Sequence, residues 1–151
     1  MDLIIIFCAQ YLVYLMALGF AAFIIWKFSW DKLVVTVVAL PLAYGTAKLA
    51  GHFYAHIQPF AVQGITPLIP HVIDNTFPSD HMLLAAAVAS LAFAYNRTLG
   101  LVLWVGALAV GAARVAALLH YPVDIATSAA IAVAVVLVVY AVAARVLPRV
   151  R

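Results

Sequence analysis

Residues 3–26 read LIIIFCAQYLVYLMALGFAAFIIW, an apolar run without a single charge. Crossing the hydrocarbon of a bilayer takes about 20 such residues as a helix. The run stops at Lys27, with Asp31 and Lys32 close behind. A secretory leader would carry a basic start, a shorter apolar core and a small-x-small cleavage site. None is present, so the segment is expected to remain as a membrane helix.

Outward from it, Leu33 to about Tyr54 repeats the texture, interrupted by Pro41, Gly45 and Lys48. Met82 to Tyr95 is apolar but short; Leu99 to Leu119 contains Arg114; Val123 to Leu147 follows Pro122, a good first-turn proline. The runs are continuous rather than alternating. In lipid every backbone group must be satisfied internally, so helices are expected rather than a barrel. Composition agrees: the chain has 151 residues, 69% hydrophobic and 9% charged, with no Glu. So few charges cannot cover a soluble domain of this length. A net charge of +3, scattered, excludes a nucleic-acid surface. Cys8 stands alone, which excludes an internal disulfide. The expectation is one all-α domain over residues 1–151, a polytopic membrane helix bundle of about five transmembrane helices with a structured extracytoplasmic loop.

That loop is residues 55–80. It carries Pro59, Pro67, Pro70 and Pro78 among His56, His71, Asp74, Asn75 and Asp80. It is too long for a plain connector, which points to function. Five crossings put Lys27, Lys32, Arg97, Arg145, Arg149 and Arg151 on one side, and only Lys48 and Arg114 on the other. The positive-inside rule makes the first side cytoplasmic. The loop, all five His, and Asp74, Asp80 and Asp124 then face outward. A plasma-membrane protein with an extracytoplasmic site is expected.

Chemistry gathers on that side. In His120-Tyr121-Pro122-Val123-Asp124, a helix begun at Pro122 brings Asp124 within reach of the His120 imidazole. Such a carboxylate fixes the tautomer and stabilises an imidazolium, the orienting role beside a nucleophile. The bland alternative is a polar helix start at the interface, which suits the pair taken alone. In Phe77-Pro78-Ser79-Asp80-His81, Ser79 is a natural N-cap and the first-turn amides form an anion site. His81 beside them can protonate a leaving oxygen. Arg114, six residues before His120, costs about 2.5–3.5 kcal/mol to insert unless it faces a polar cavity, although it sits near enough to its helix end to snorkel. Together these residues make a complete set for phosphoryl transfer, which outweighs the separate bland readings. His52 and His56, four apart, are the one further pair with ligand spacing, and a metal site is not expected. These two are expected to be interfacial, and His71 a hydrogen-bonding loop residue.

The motifs carry a resemblance. Pro78-Ser79-Asp80-His81, then Ala113-Arg114 with His120 and Asp124, resembles the type 2 phosphatidic acid phosphatase (PAP2) superfamily. It looks closest to the bacterial undecaprenyl-diphosphate phosphatase branch, as do Thr66–His71 and His120–Asp124. The resemblance implies a metal-independent and cofactor-free hydrolysis of a lipid phosphate, most simply undecaprenyl diphosphate. In it His120 forms a phosphohistidine, Asp124 orients it, His81 protonates the leaving group, and Ser79 and Arg114 hold phosphate oxygens. The family's first motif, a Lys, six residues, then Arg-Pro, is altered: Gln58 precedes Pro59 and Gly51 stands at the Lys position. Gln58 is thus the third expected phosphate ligand, without the planar charge of Arg. Lys48, about 15 Å from it along a straight helix, is not an obvious substitute. Phosphatidylglycerol phosphate or phosphatidic acid as substrate, or a non-catalytic lipid-phosphate-binding module, stay open at this point.

Overall fold

The computed structural model describes residues 1–147; Arg149 and Arg151 lie outside them. Among the described residues there are helices and no strand. Helix α1, Asp2–Trp26, is continuous through a wide π turn at Phe7–Tyr11. Helix α2, Trp30–Phe53, runs on through Pro41. A short α3, Pro59–Gln63, interrupts the long loop and stops at Gly64, whose φ of 64° suits a residue without Cβ. Then come α4, Asp80–Tyr95, α5, Arg97–Ala116, and α6, Pro122–Val146.

Four of these, α1, α2, α5 and α6, are long and apolar enough to cross a membrane. Their surfaces are covered by exposed large apolar side chains such as Leu18, Ile25, Leu49, Val105 and Leu137, as a lipid-facing shell requires. Helix α4 has 16 residues, about 24 Å at 1.5 Å per residue. Most of it is packed inside the bundle. Met82, Leu83, Ala85 to Ala89, Leu91 and Ala92 are all buried against the other four helices. Small alanine faces let those helices approach closely, the usual basis of packing in a bilayer.

Asn96 alone joins α4 to α5, its side chain capping Leu99 N at 2.9 Å. The two helices are so close that a Cβ at Gly100 would overlap the backbone of Phe93. At the same end, Tyr95 Oη donates to Lys32 O at 3.1 Å. Lys27, Lys32, Arg97 and Arg145 therefore share one end of the bundle, and the loop, the histidines, Lys48 and Arg114 share the other. At that second end Ser128, buried in α6, donates to Ser79 O (2.9 Å) and Asp124 O (2.7 Å), which ties α6 to the start of α4.

Candidate active site

The turn after α5 builds the centre. Leu118 takes φ 57°, a left-handed conformation that a leucine adopts only when its surroundings impose it. Its carbonyl accepts Phe60 N at 3.1 Å, and Leu119 N returns to Arg114 O at 3.1 Å. His120 is thereby folded back over the last turn of α5. There Arg114 Nη2 stands 2.9 Å from His120 Nε2. A guanidinium only donates, so Nε2 is the accepting nitrogen and the ring proton sits on Nδ1. Arg114 and His120 are both buried, and both line one wall of a cavity of about 470 Å³.

Behind the ring, Nδ1 faces Thr76 Oγ1 at 2.7 Å and Asp124 Oδ2 at 3.5 Å. The Thr76 hydroxyl hydrogen is directed at Leu119 O (2.9 Å) and Asp124 Oδ2 (3.3 Å). Asp124 is wholly buried, and its Oδ2 also accepts Tyr121 N at 2.8 Å, closing the first turn of α6 begun by Pro122. The four-residue spacing thus brings the carboxylate to the imidazole, with a threonine hydroxyl closer still. Burial pushes the His120 imidazole below the ordinary histidine range; Asp124 pulls against this, and the Arg114 charge adds to it.

His81 and Asp80, in the first turn of α4, line the same cavity, as do His52, His71 and Asp74. Burial lowers the pKa of His71, and Arg114 pushes it the same way. Ser79 caps α4 as its position predicts, accepting Met82 N at 3.4 Å. It is fully buried and is not among the residues that line the cavity.

Gln58 is also fully buried and does not line the cavity. Its amide donates to Val72 O (3.1 Å) and Asp74 Oδ1 (2.7 Å), and its Oε1 accepts Asp74 N at 3.2 Å. Both hydrogens and the oxygen are engaged in holding the loop.

Beside Arg114, Lys48 also lines the cavity, although the helical distance from Gln58 argues against it as a substitute. It pairs with Asp80 at 2.9 and 3.1 Å. At Gly51 a Cβ would come 2.7 Å from the Phe77 carbonyl oxygen. A side chain there would have to displace that carbonyl, and Lys48 lies three residues earlier on the same helix face. The contact of Thr76 with His120 was not legible in the sequence, because nothing local links residues 44 apart. His56, expected at the interface, instead places Nε2 at 3.0 Å from Asp124 Oδ1.

A membrane bundle with a cation-bearing, histidine-lined cavity at one end defines a class, the integral-membrane lipid phosphatases. The chain belongs to the PAP2 superfamily, whose profile matches residues 10–147. It is 34% identical over 140 residues to the bacitracin transport permease protein BcrC of Bacillus licheniformis, covering 91% of this chain and 69% of that one. It is 36% identical over 80 residues to the undecaprenyl-diphosphatase BcrC of Bacillus subtilis (strain 168), covering 53% and 42%. Among solved structures, LpxE of Aquifex aeolicus superposes with a TM-score of 0.75 at 20% identity, covering 91% of this chain and 85% of that one. The first transmembrane PAP2 type phosphatidylglycerolphosphate phosphatase from Bacillus subtilis gives 0.69 at 19% identity, covering 98% and 76%. The last two likenesses concern the fold. The bundle is a multi-pass membrane phosphatase.

Proposed function

We propose that this protein hydrolyses a polyprenyl diphosphate, undecaprenyl diphosphate being the prime candidate, to the monophosphate and inorganic phosphate on the extracytoplasmic face of the plasma membrane. The observation that carries the reading is the Arg114–His120 pair. It leaves the Nε2 lone pair facing both a cation and the cavity. A terminal phosphoryl group that displaces the guanidinium from Nε2 meets the nucleophile with its oxygens already beside Arg114. In the first step Nε2 attacks phosphorus and the bond to the bridging oxygen breaks. His81 gives its proton to the leaving lipid monophosphate. In the second step water attacks the phosphohistidine, His81 takes a proton from that water, and the P–N bond breaks to release phosphate. The Nδ1–H, held toward Thr76 and Asp124, stabilises the positive ring in both steps.

Charge compensation comes from Arg114, Lys48 and the first-turn amides of α4, which suits a reaction that proceeds without a divalent cation. An apolar crevice of about 200 Å³ between α2 and α4, lined by Leu40, Ala43, Tyr44, Leu83, Leu84 and Ala87, also touches Asp80 on the cavity wall. It offers a lipid chain a path from the bilayer to the polar end. The diphosphate is preferred over other lipid phosphates because the undecaprenyl-diphosphatase relative shares the matched region, whereas the likeness to the phosphatidylglycerolphosphate phosphatase is one of fold.

The test is phosphate release from undecaprenyl diphosphate by purified protein in excess chelator, with acid-labile, base-stable phosphohistidine trapped in the wild type and absent in His120→Ala. Turnover that survives His120→Ala, or that vanishes with chelator, would sink the scheme.

A further inference from the structure

The Thr76 hydroxyl stands 2.7 Å from His120 Nδ1, against 3.5 Å for Asp124 Oδ2. Arg114 can only donate at Nε2, so Nδ1 carries the ring proton and the hydroxyl oxygen accepts it. The hydroxyl has one hydrogen of its own, directed at Leu119 O (2.9 Å) and Asp124 Oδ2 (3.3 Å). Oδ2 also accepts Tyr121 N at 2.8 Å. The bonds therefore run from the imidazole to the hydroxyl, and only from there to the carboxylate. Thr76 is buried, and its backbone N–H donates to His56 O at 2.9 Å. The Asn75 amide beside it accepts His56 N (3.3 Å) and Phe77 N (3.0 Å) and donates to Gly51 O (3.0 Å).

These bonds fix the backbone at Thr76 without any ligand, and a β-branched side chain is stiff about its first torsion. Electrostatic help to a developing imidazolium requires the acceptor to be in place beforehand. We infer that Thr76 is a positioning residue: its hydroxyl accepts the Nδ1–H of His120 directly and links the ring to Asp124. A hydroxyl that merely tied the loop to Leu119 would serve the fold and leave the proton affinity of the ring alone. The inference rests on His120 being the nucleophile.

The experiment uses the purified full chain and undecaprenyl diphosphate. Thr76→Val keeps the shape and deletes the hydroxyl; Thr76→Ser keeps the hydroxyl. Thr76→Val is expected to lose roughly ten- to hundred-fold in kcat with KM little changed, the scale of one hydrogen bond to a charged group. Thr76→Ser is expected to recover most of that loss. The acid limb of kcat/KM is expected to move down in Thr76→Val, because the lost acceptor favours the imidazolium, and to return in Thr76→Ser. Arg114 from α5, Asp124 from α6, His81 from α4, His71 from the loop and Lys48 from α2 lie around the ring or across the cavity from it. Neither substitution alters them, so the movement belongs to the hydroxyl. In an Asp124→Asn background, Thr76→Val is expected to cost little more, because both act along one line of bonds. If the Val variant does not fold, Thr76→Ala serves as the hydroxyl-deleted form. Wild-type kcat in the hydroxyl-deleted variant, no rescue by Ser, an unmoved acid limb, or additive losses with Asp124→Asn would overturn the inference. An inactive His120→Ala beside a fully active Thr76→Val rejects the positioning role alone. An active His120→Ala rejects the nucleophile reading instead.

Discussion

The ammonium of Lys48 holds both carboxylate oxygens of Asp80, at 2.9 and 3.1 Å, and so joins α2 to the first turn of α4 along one wall of the cavity. Both side chains are about half exposed, so the pair adds little to stability. Its consequence is electrostatic, since an unpaired Asp80 would repel a phosphate from the cavity. Lys48→Ala is therefore expected to reduce kcat/KM for a lipid diphosphate by roughly ten-fold or more, the scale of one charged hydrogen bond of about 1.5–3 kcal/mol. Lys48→Ala/Asp80→Gly should regain part of it. Steady-state kinetics on the two variants decide the matter, and no loss for Lys48→Ala would place the anion elsewhere.

Gln58→Arg should not raise activity, although the family's motif has an Arg there. The position is closed, and its amide holds Val72 and Asp74. A longer cation must push into a packed site, which typically costs about 1–3 kcal/mol. Lower thermal stability with unchanged or reduced kcat/KM is the expected result. An increase in kcat/KM would show that residue 58 does reach the phosphate.

The pH profile follows from His120, which must be neutral at Nε2 to attack. Burial holds its pKa below the ordinary 6.5, so protonation removes the nucleophile only at more acidic pH. The acid limb of kcat/KM should accordingly lie below the usual histidine range. Arg114→Gln removes a cation that disfavours the imidazolium, and the limb should move up. Asp124→Asn removes an anion that favours it, and the limb should move down. Residual turnover measured from pH 4 to 8 checks both directions; movement the same way in both variants contradicts the assignment.

In the proposed scheme His81 is the acid, which matters where the leaving oxygen is basic. A lipid monophosphate departs more readily than an alcohol, so His81→Ala should lose more activity on phosphatidate than on the diphosphate, and least on an activated aryl phosphate. Equal losses across the three would take the acid role away from His81.

Sidedness can be read by thiol labelling in a Cys8→Ser background. Val72 is highly exposed in the loop, and Arg97 marks the cation-rich end. An impermeant maleimide should label Val72→Cys but not Arg97→Cys in intact cells. The reverse pattern would put the site in the cytoplasm.

Spans of this kind are written in the sequence because a bilayer imposes one requirement on every lipid-facing residue and another on the backbone. The apolar runs, Pro122 at a helix start, the Ser79 cap and the approach of Asp124 to His120 four positions away were all legible for that reason: each is local. Tertiary structure alone decided what crosses between segments. It turned Gln58 into a brace for Asp74, set Thr76 against His120, and put His56 beside the second oxygen of Asp124. It also denied position 51 a side chain, because a carbonyl from residue 77 stands over it, and set Lys48 on the cavity wall. A spacing rule reports on neighbours along one helix; the wall of a cavity is made of residues that only packing brings together.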